Sequence, residues 1–140
     1  MSELQIEVVE GSGWSAGNVD GMGDGPGFRK VRHELGVTEM GVNAIAMPAG
    51  IGSGTHWHER QEEVYFVHRG TLRFTFGEQD DEQVVLGPGG VVRVAPETQR
   101  SIANIGDSEA LYICFGAAGG YVGRDGHHRE GEPRVVEVKS

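Results

Sequence analysis

Two imidazoles and a carboxylate stand close together near the middle of this 140-residue sequence, in the stretch GIGSGTHWHERQEEVYFVHRG. His56 and His58 are separated by one residue, and Glu63 lies five residues beyond. In an extended segment alternate side chains share a face. The two histidines then stand roughly 6.6 Å apart along the backbone. Imidazole nitrogens held about 2.1 Å from one ion can meet from that separation. Glu63 opens the run EVYFVHRG, in which Glu63, Tyr65 and Val67 fall on one face and Glu62 and His68 on the other. The chemistry these residue types offer is coordination of a divalent metal. The plainer reading is a pair of surface histidines beside a turn.

Such a cluster needs short extended elements to position it, and the apolar pattern supplies them. Apolar residues alternate with period two over residues 40–47, 64–69, 71–76, 83–86, 91–95, 100–104 and 111–115. Most of these runs are bounded by Gly, Pro, Asn or Asp. Residues 4–9 and 28–35 read as weaker strands, and residues 134–138 as a last outer one. Short strands at near-regular spacing, with turn signals between them, predict an all-β sandwich or barrel. No segment carries a helical period of useful length. Residues 10–27 and 117–133 read as Gly-rich loop and polar tail. His127 and His128 lie in that tail, point to opposite faces if extended, and are read as solvated. His33 is read as exposed.

Composition narrows the function classes. The chain fits one domain spanning residues 1–140 and is long enough to bury a core without disulfides. A formal net charge of −9 argues against nucleic-acid partners and against docking on anionic lipid. Cys114 is the only cysteine, so no intrachain disulfide forms; its setting in LYICFG reads as a small buried thiol. The acidic N-terminus lacks the apolar core of a signal peptide, and no apolar run approaches a bilayer's thickness. A soluble cytoplasmic protein is expected. The glycine run at residues 21–27 lacks the Lys and Ser or Thr of a phosphate-binding loop.

The segment from Gly50 resembles the first motif of the cupin superfamily: a glycine, H-x-H, a glutamate and a closing glycine. Gly50, His56, His58, Glu63 and Gly70 meet every fixed position. The second cupin motif matches less well. Gly89 and Asn104 fit, but Ala95 stands where a proline belongs, with Pro96 one place later. Glu97 replaces a glycine, and Arg100 occupies the place of a metal-binding histidine. The resemblance covers about residues 28–116. It implies a cupin-like double-stranded β-helix: an antiparallel β-sandwich barrel, or jelly roll. His56, His58 and Glu63 would be the metal ligands inside it, and outer strands would pair two copies as a homodimer. The family spans dioxygenases, isomerases, decarboxylases, storage proteins and ligand sensors, so membership does not fix an activity.

Arg100 is the departure on which the function turns, because arginine has no lone pair to give a metal. It could be an ordinary surface residue pointing out, leaving a three-ligand metal with open positions. It could point in and pair with Glu63, weakening or emptying the site. It could also point in beside a bound metal and clamp a carboxylate or phosphate. Two imidazoles and one carboxylate accept iron, manganese, nickel, zinc or copper. The sequence therefore predicts a metal-dependent enzyme of oxidative or isomerising chemistry, acting on a small anionic molecule through Arg100 and Tyr65. The alternative is a non-catalytic cupin that binds or senses a small ligand with a weak or absent metal. A purely structural dimer module would leave the H-x-H pair unexplained. Asn43 and Arg73 are further candidates to line a cavity.

Overall fold

In the computed structural model, which describes residues 3–138, the alternating runs are strands. A hairpin of β1 (Val9–Gly11) and β2 (Trp14–Ala16) turns at Gly13, and β3 (Gly27–Arg29) leads into a short helix, α1 (Val31–Leu35). Then follow β4 (Gly41–Met47), β5 (Ile51–Ser53), β6 (His56–His58), β7 (Glu62–Arg69), β8 (Leu72–Phe76) and β9 (Glu82–Leu86). β10 (Val91–Val94), β11 (Arg100–Asn104), β12 (Ala110–Ala117), β13 (Gly126–His128) and β14 (Val135–Glu137) complete the order. One antiparallel sheet runs β10-β7-β12-β4-β3. The other is built on β11, with β8 and then β9 on one side, and β5 and β6 end to end on the other. β14 extends β5, and β13 extends β6. This is the jelly-roll β-sandwich that the sequence predicts.

Side-chain alternation places the core. Tyr65 and Val67 of β7, Leu72 and Phe74 of β8, Val94, Ile102 and Tyr112 meet between the sheets. Val67, Leu72 and Phe74 are fully buried, each contributing about 1.5–3 kcal/mol of transfer free energy. On β4, Ile45 and Met47 face this interior while Val42, Ala44 and Ala46 face outward, where Val31 and Leu35 of α1 cover them. Period two puts Asn43 on the interior face as well. Arg73 faces out, because its neighbours Leu72 and Phe74 are the inward residues.

The glycine closing the ligand segment has a steric reason to be there. Gly70 turns β7 into β8 at φ 94°, and a Cβ on it would fall 2.5 Å from the Cβ of Ala110. Both the left-handed backbone and the close approach exclude a side chain.

Four expectations need correction. Residues 28–35 are not one strand: β3 ends at Arg29, and α1 closes at Gly36, whose φ of 70° and N–H to Arg32 O cap it. Five residues are too few to display a helical period. The stretch 10–27 is not only loop. It holds β2 and a 3-10 turn (Val19–Gly21) capped by the Asn18 side chain, while residues 4–8 form no strand. The tail 117–133 is not simply solvated: β13 forms within it and lies against the strand of the histidines.

Candidate metal centre

β6 is the H-x-H segment itself, so His56 and His58 share a face, their rings 5.2 Å apart and perpendicular. Glu63 enters from the start of β7 with Tyr65 and Val67 beside it, all inward. The Nε2 atoms of His56 and His58 lie 3.6 Å and 3.2 Å from Glu63 Oε1. One donor atom from each residue falls within 4.8 Å of the other two. Donors bound at about 2.1 Å to one ion sit roughly 3.0–3.5 Å apart, so the set matches a metal site with little adjustment. His58 Nε2 is buried and lacks a hydrogen-bond partner. In a neutral ring with its proton on Nδ1 that lone pair faces a carboxylate, a contact relieved either by a proton on Nε2 or by a cation between the two groups. The residues therefore fit a divalent ion, and the His56 side, 22% exposed, is the open one.

Arg100 points inward and is fully buried. In the β11–β6 ladder it stands directly opposite His56. Its guanidinium donates to the carbonyls of Pro96 and Ala95, both at 3.3 Å, and approaches Glu63 Oε1 at 3.7 Å. That approach is longer than a hydrogen bond, so Arg100 neighbours Glu63 without tying it down. The outward surface arginine is excluded. A surface depression of about 280 Å³ is lined by Phe76, Val92, Val94, Ala95 and Thr98 with the charged Glu82 and Arg93, and Arg100 is not part of its lining. Tyr65 donates its hydroxyl to Glu63 Oε1 at 2.6 Å and is itself buried, so its first contact is the carboxylate. The Cys114 thiol donates to Glu63 Oε2 at 3.2 Å.

The tail supplies what the sequence did not reveal. Asp125 Oδ1 lies 2.9 Å from His58 Nδ1, and Oδ2 accepts from the N–H groups of Arg60 and Gln61. His128 pairs across the ladder with His56, their rings 6.0 Å apart. His127 stacks on Trp57 and bonds Glu59 at 2.6 Å. Both are exposed and face opposite ways, as expected; what differs is that they stand on a strand paired with β6 instead of in an irregular tail. No apolar alternation marks three-residue GHH as a strand. The one available signal is the concentration of Asp and His in an otherwise featureless tail. His68 and His33 are exposed and away from the cluster, as expected.

Electrostatics follow from these contacts. Burial pushes the Glu63 carboxyl up, but the imidazoles of His56 and His58 and the Tyr65 hydroxyl outweigh it and hold it far below the usual carboxylate range. Burial likewise opposes the charge on His58, yet Glu63 and then Asp125 raise it above an ordinary histidine. Asp125 is held low: burial opposes its charge, but the Gln61 side chain and the backbone N–H groups of Arg60 and Gln61 prevail. Burial pushes the Tyr65 hydroxyl and the Cys114 thiol well up, so both stay protonated donors. The depressed carboxylates contribute stability above about pH 4 that is lost as pH falls. The raised histidine contributes stability below about pH 6.5 that is lost as pH rises through its folded value. Urea midpoints of metal-free protein should therefore peak in mildly acidic solution, between those two limits.

Comparison with known proteins agrees with the fold. A family model for the cupin domain matches residues 44–116, just over half of the chain. No curated protein matches by sequence. Among solved structures, a cupin protein from Bacteroides fragilis is 27% identical, with TM-score 0.60 over 69% of this chain and 80% of that one. A Klebsiella pneumoniae protein with a double-stranded β-helix domain is 16% identical, with TM-score 0.58 over 66% and 76% of the two chains. Oxalate decarboxylase from Bacillus subtilis is 15% identical, with TM-score 0.59 over 72% of this chain and 33% of that one. The last two speak for the fold alone.

Proposed function

This chain belongs to the cupin family, and we propose that His56, His58 and Glu63 hold a divalent metal on which a small anionic molecule is bound and oxidised or isomerised. The observation that carries this reading is the convergence of three donor atoms on one point, with the buried Nε2 of His58 left without a partner. A divalent ion there would supply a Lewis acid with open positions toward solvent. Tyr65 and Cys114 each donate to a different oxygen of Glu63, fixing the carboxylate's orientation. Arg100 supplies a fixed positive charge beside the donors. An anionic ligand would screen its repulsion from the metal and could bond it bidentately.

The test is uptake by the untagged protein, offered iron(II), manganese(II), nickel(II), zinc(II) and copper(II) one at a time. Close to one equivalent of at least one ion should remain after desalting and be removed by a chelator. Stability should rise by about 2.7 kcal/mol when the free ion is a hundredfold above its dissociation constant. Failure to take up any of the five would end the metal reading. The fallback is then a non-catalytic ligand-binding cupin.

A further inference from the structure

Asp125 lies outside the matched family region, yet its carboxylate organises the strand and turn that carry the candidate ligands. Its side chain is only 8% exposed. Oδ2 accepts from Arg60 N at 2.9 Å and Gln61 N at 3.0 Å, binding the turn between β6 and Glu63. Oδ1 accepts from Gln61 Nε2 at 2.5 Å and faces His58 Nδ1 at 2.9 Å. The Asp125 carbonyl also accepts from Glu59 N at 3.0 Å. Gln61 holds its place only because residue 116 is glycine, since a Cβ there would collide with Gln61 Oε1. Next to Asp125, Gly126 pairs with His58 in the β13–β6 ladder and lies along the edge of its ring.

An ionised carboxylate only accepts hydrogen bonds. The proton in the His58–Asp125 contact therefore belongs to Nδ1. In the neutral ring this leaves Nε2 with the lone pair, and Nε2 is the buried, partnerless atom 3.2 Å from Glu63 Oε1. We propose that Asp125 is a positioning residue: it fixes the neutral His58 ring as the Nδ1–H tautomer and so directs Nε2 to the metal. This rests on the reading of His56, His58 and Glu63 as metal ligands. The role follows the general pattern in which an outer carboxylate orients a ligating imidazole. Here it comes from a polar tail instead of the barrel.

Asparagine at position 125 reverses the arrangement. Its single oxygen satisfies the two backbone N–H groups, its amide NH2 then faces Nδ1 and, once the Gln61 amide turns its oxygen inward, Gln61 as well, and the ring proton moves to Nε2. Imidazole nitrogen–proton correlation spectra of metal-free protein in alkaline solution, with His58 assigned by a His58→Gln control, read the tautomer directly. The wild type should show Nδ1–H at His58, and Asp125→Asn should show Nε2–H. Competition between protein and chelator for zinc(II) should show a tenfold to hundredfold weaker affinity in Asp125→Asn. A wild-type His58 carrying its proton on Nε2 overturns the proposal without recourse to any variant. So does unchanged zinc affinity in a folded Asp125→Asn. A wild type with Nδ1–H that takes up no zinc or other ion overturns the metal reading instead, and the positioning role with it.

Discussion

Glu63→Gln should abolish metal uptake and lower the stability of the metal-free protein by roughly 3–5 kcal/mol, the usual cost of stripping one partner from a buried charge pair. Glutamine preserves the shape but not the charge. Oε1 is the atom toward which His56, His58, Tyr65 and Arg100 all point. Without the anion, the fully buried Arg100 guanidinium keeps only two carbonyl contacts, while its Nε already lacks a partner. His58 loses the larger of the two acidic neighbours that favour its charged form. The adjacent residue makes a sharp control. Glu62 is half exposed and paired with Arg93 at the surface, so Glu62→Gln should change stability by about 0–1 kcal/mol and leave metal binding intact. Urea unfolding and zinc titration of both variants provide the comparison. Metal affinity within tenfold of wild type in Glu63→Gln would remove Glu63 from the ligand set.

Arg100→His should raise metal affinity at least tenfold, or about 1.4 kcal/mol. Two effects act in the same direction. A guanidinium near the ligand oxygen repels a dication, and unit charges about 4 Å apart interact by roughly 4 kcal/mol where the effective dielectric constant is near 20. Histidine also brings a lone pair to a buried position directly across the ladder from His56. Arg100→Met separates the effects, because it removes the charge without adding a donor; its gain should be smaller. Inorganic phosphate, used as an anionic probe on the metal-loaded protein, should bind more weakly to the methionine variant. Metal affinity that falls in both variants would instead make Arg100 the clamp that keeps Glu63 in place.

Much of this architecture was readable because β-strands write their burial into every second residue. Glu63, Tyr65 and Val67 alternate with residues that face away, and the structure keeps that phase without a slip. The H-x-H pair needed only three extended residues to be interpretable. Arg100 resisted because a turn intervenes at residues 95–99, and phase does not carry across a turn. α1 escaped notice because one and a half turns cannot establish a period. Asp125 and β13 escaped for a different reason: their placement depends on hydrogen bonds to a strand almost seventy residues away in sequence, and nothing local to GRDGHHRE records that distance.

The closure of β6 limits how this protein can meet another chain. β11 occupies one flank of the imidazole strand and β13 the other; β5 is likewise enclosed by β11 and β14. Among the described residues, a foreign strand seeking vacant backbone donors must look elsewhere, to the β1–β2 hairpin, β3, β9, β10 or the outer sides of β13 and β14. Several of those rims display bare valines, among them Val84 and Val85 on β9, Val91 on β10 and Val135 on β14. Self-association by sheet extension would thus leave the imidazoles undisturbed, and each protomer would carry a centre complete in itself.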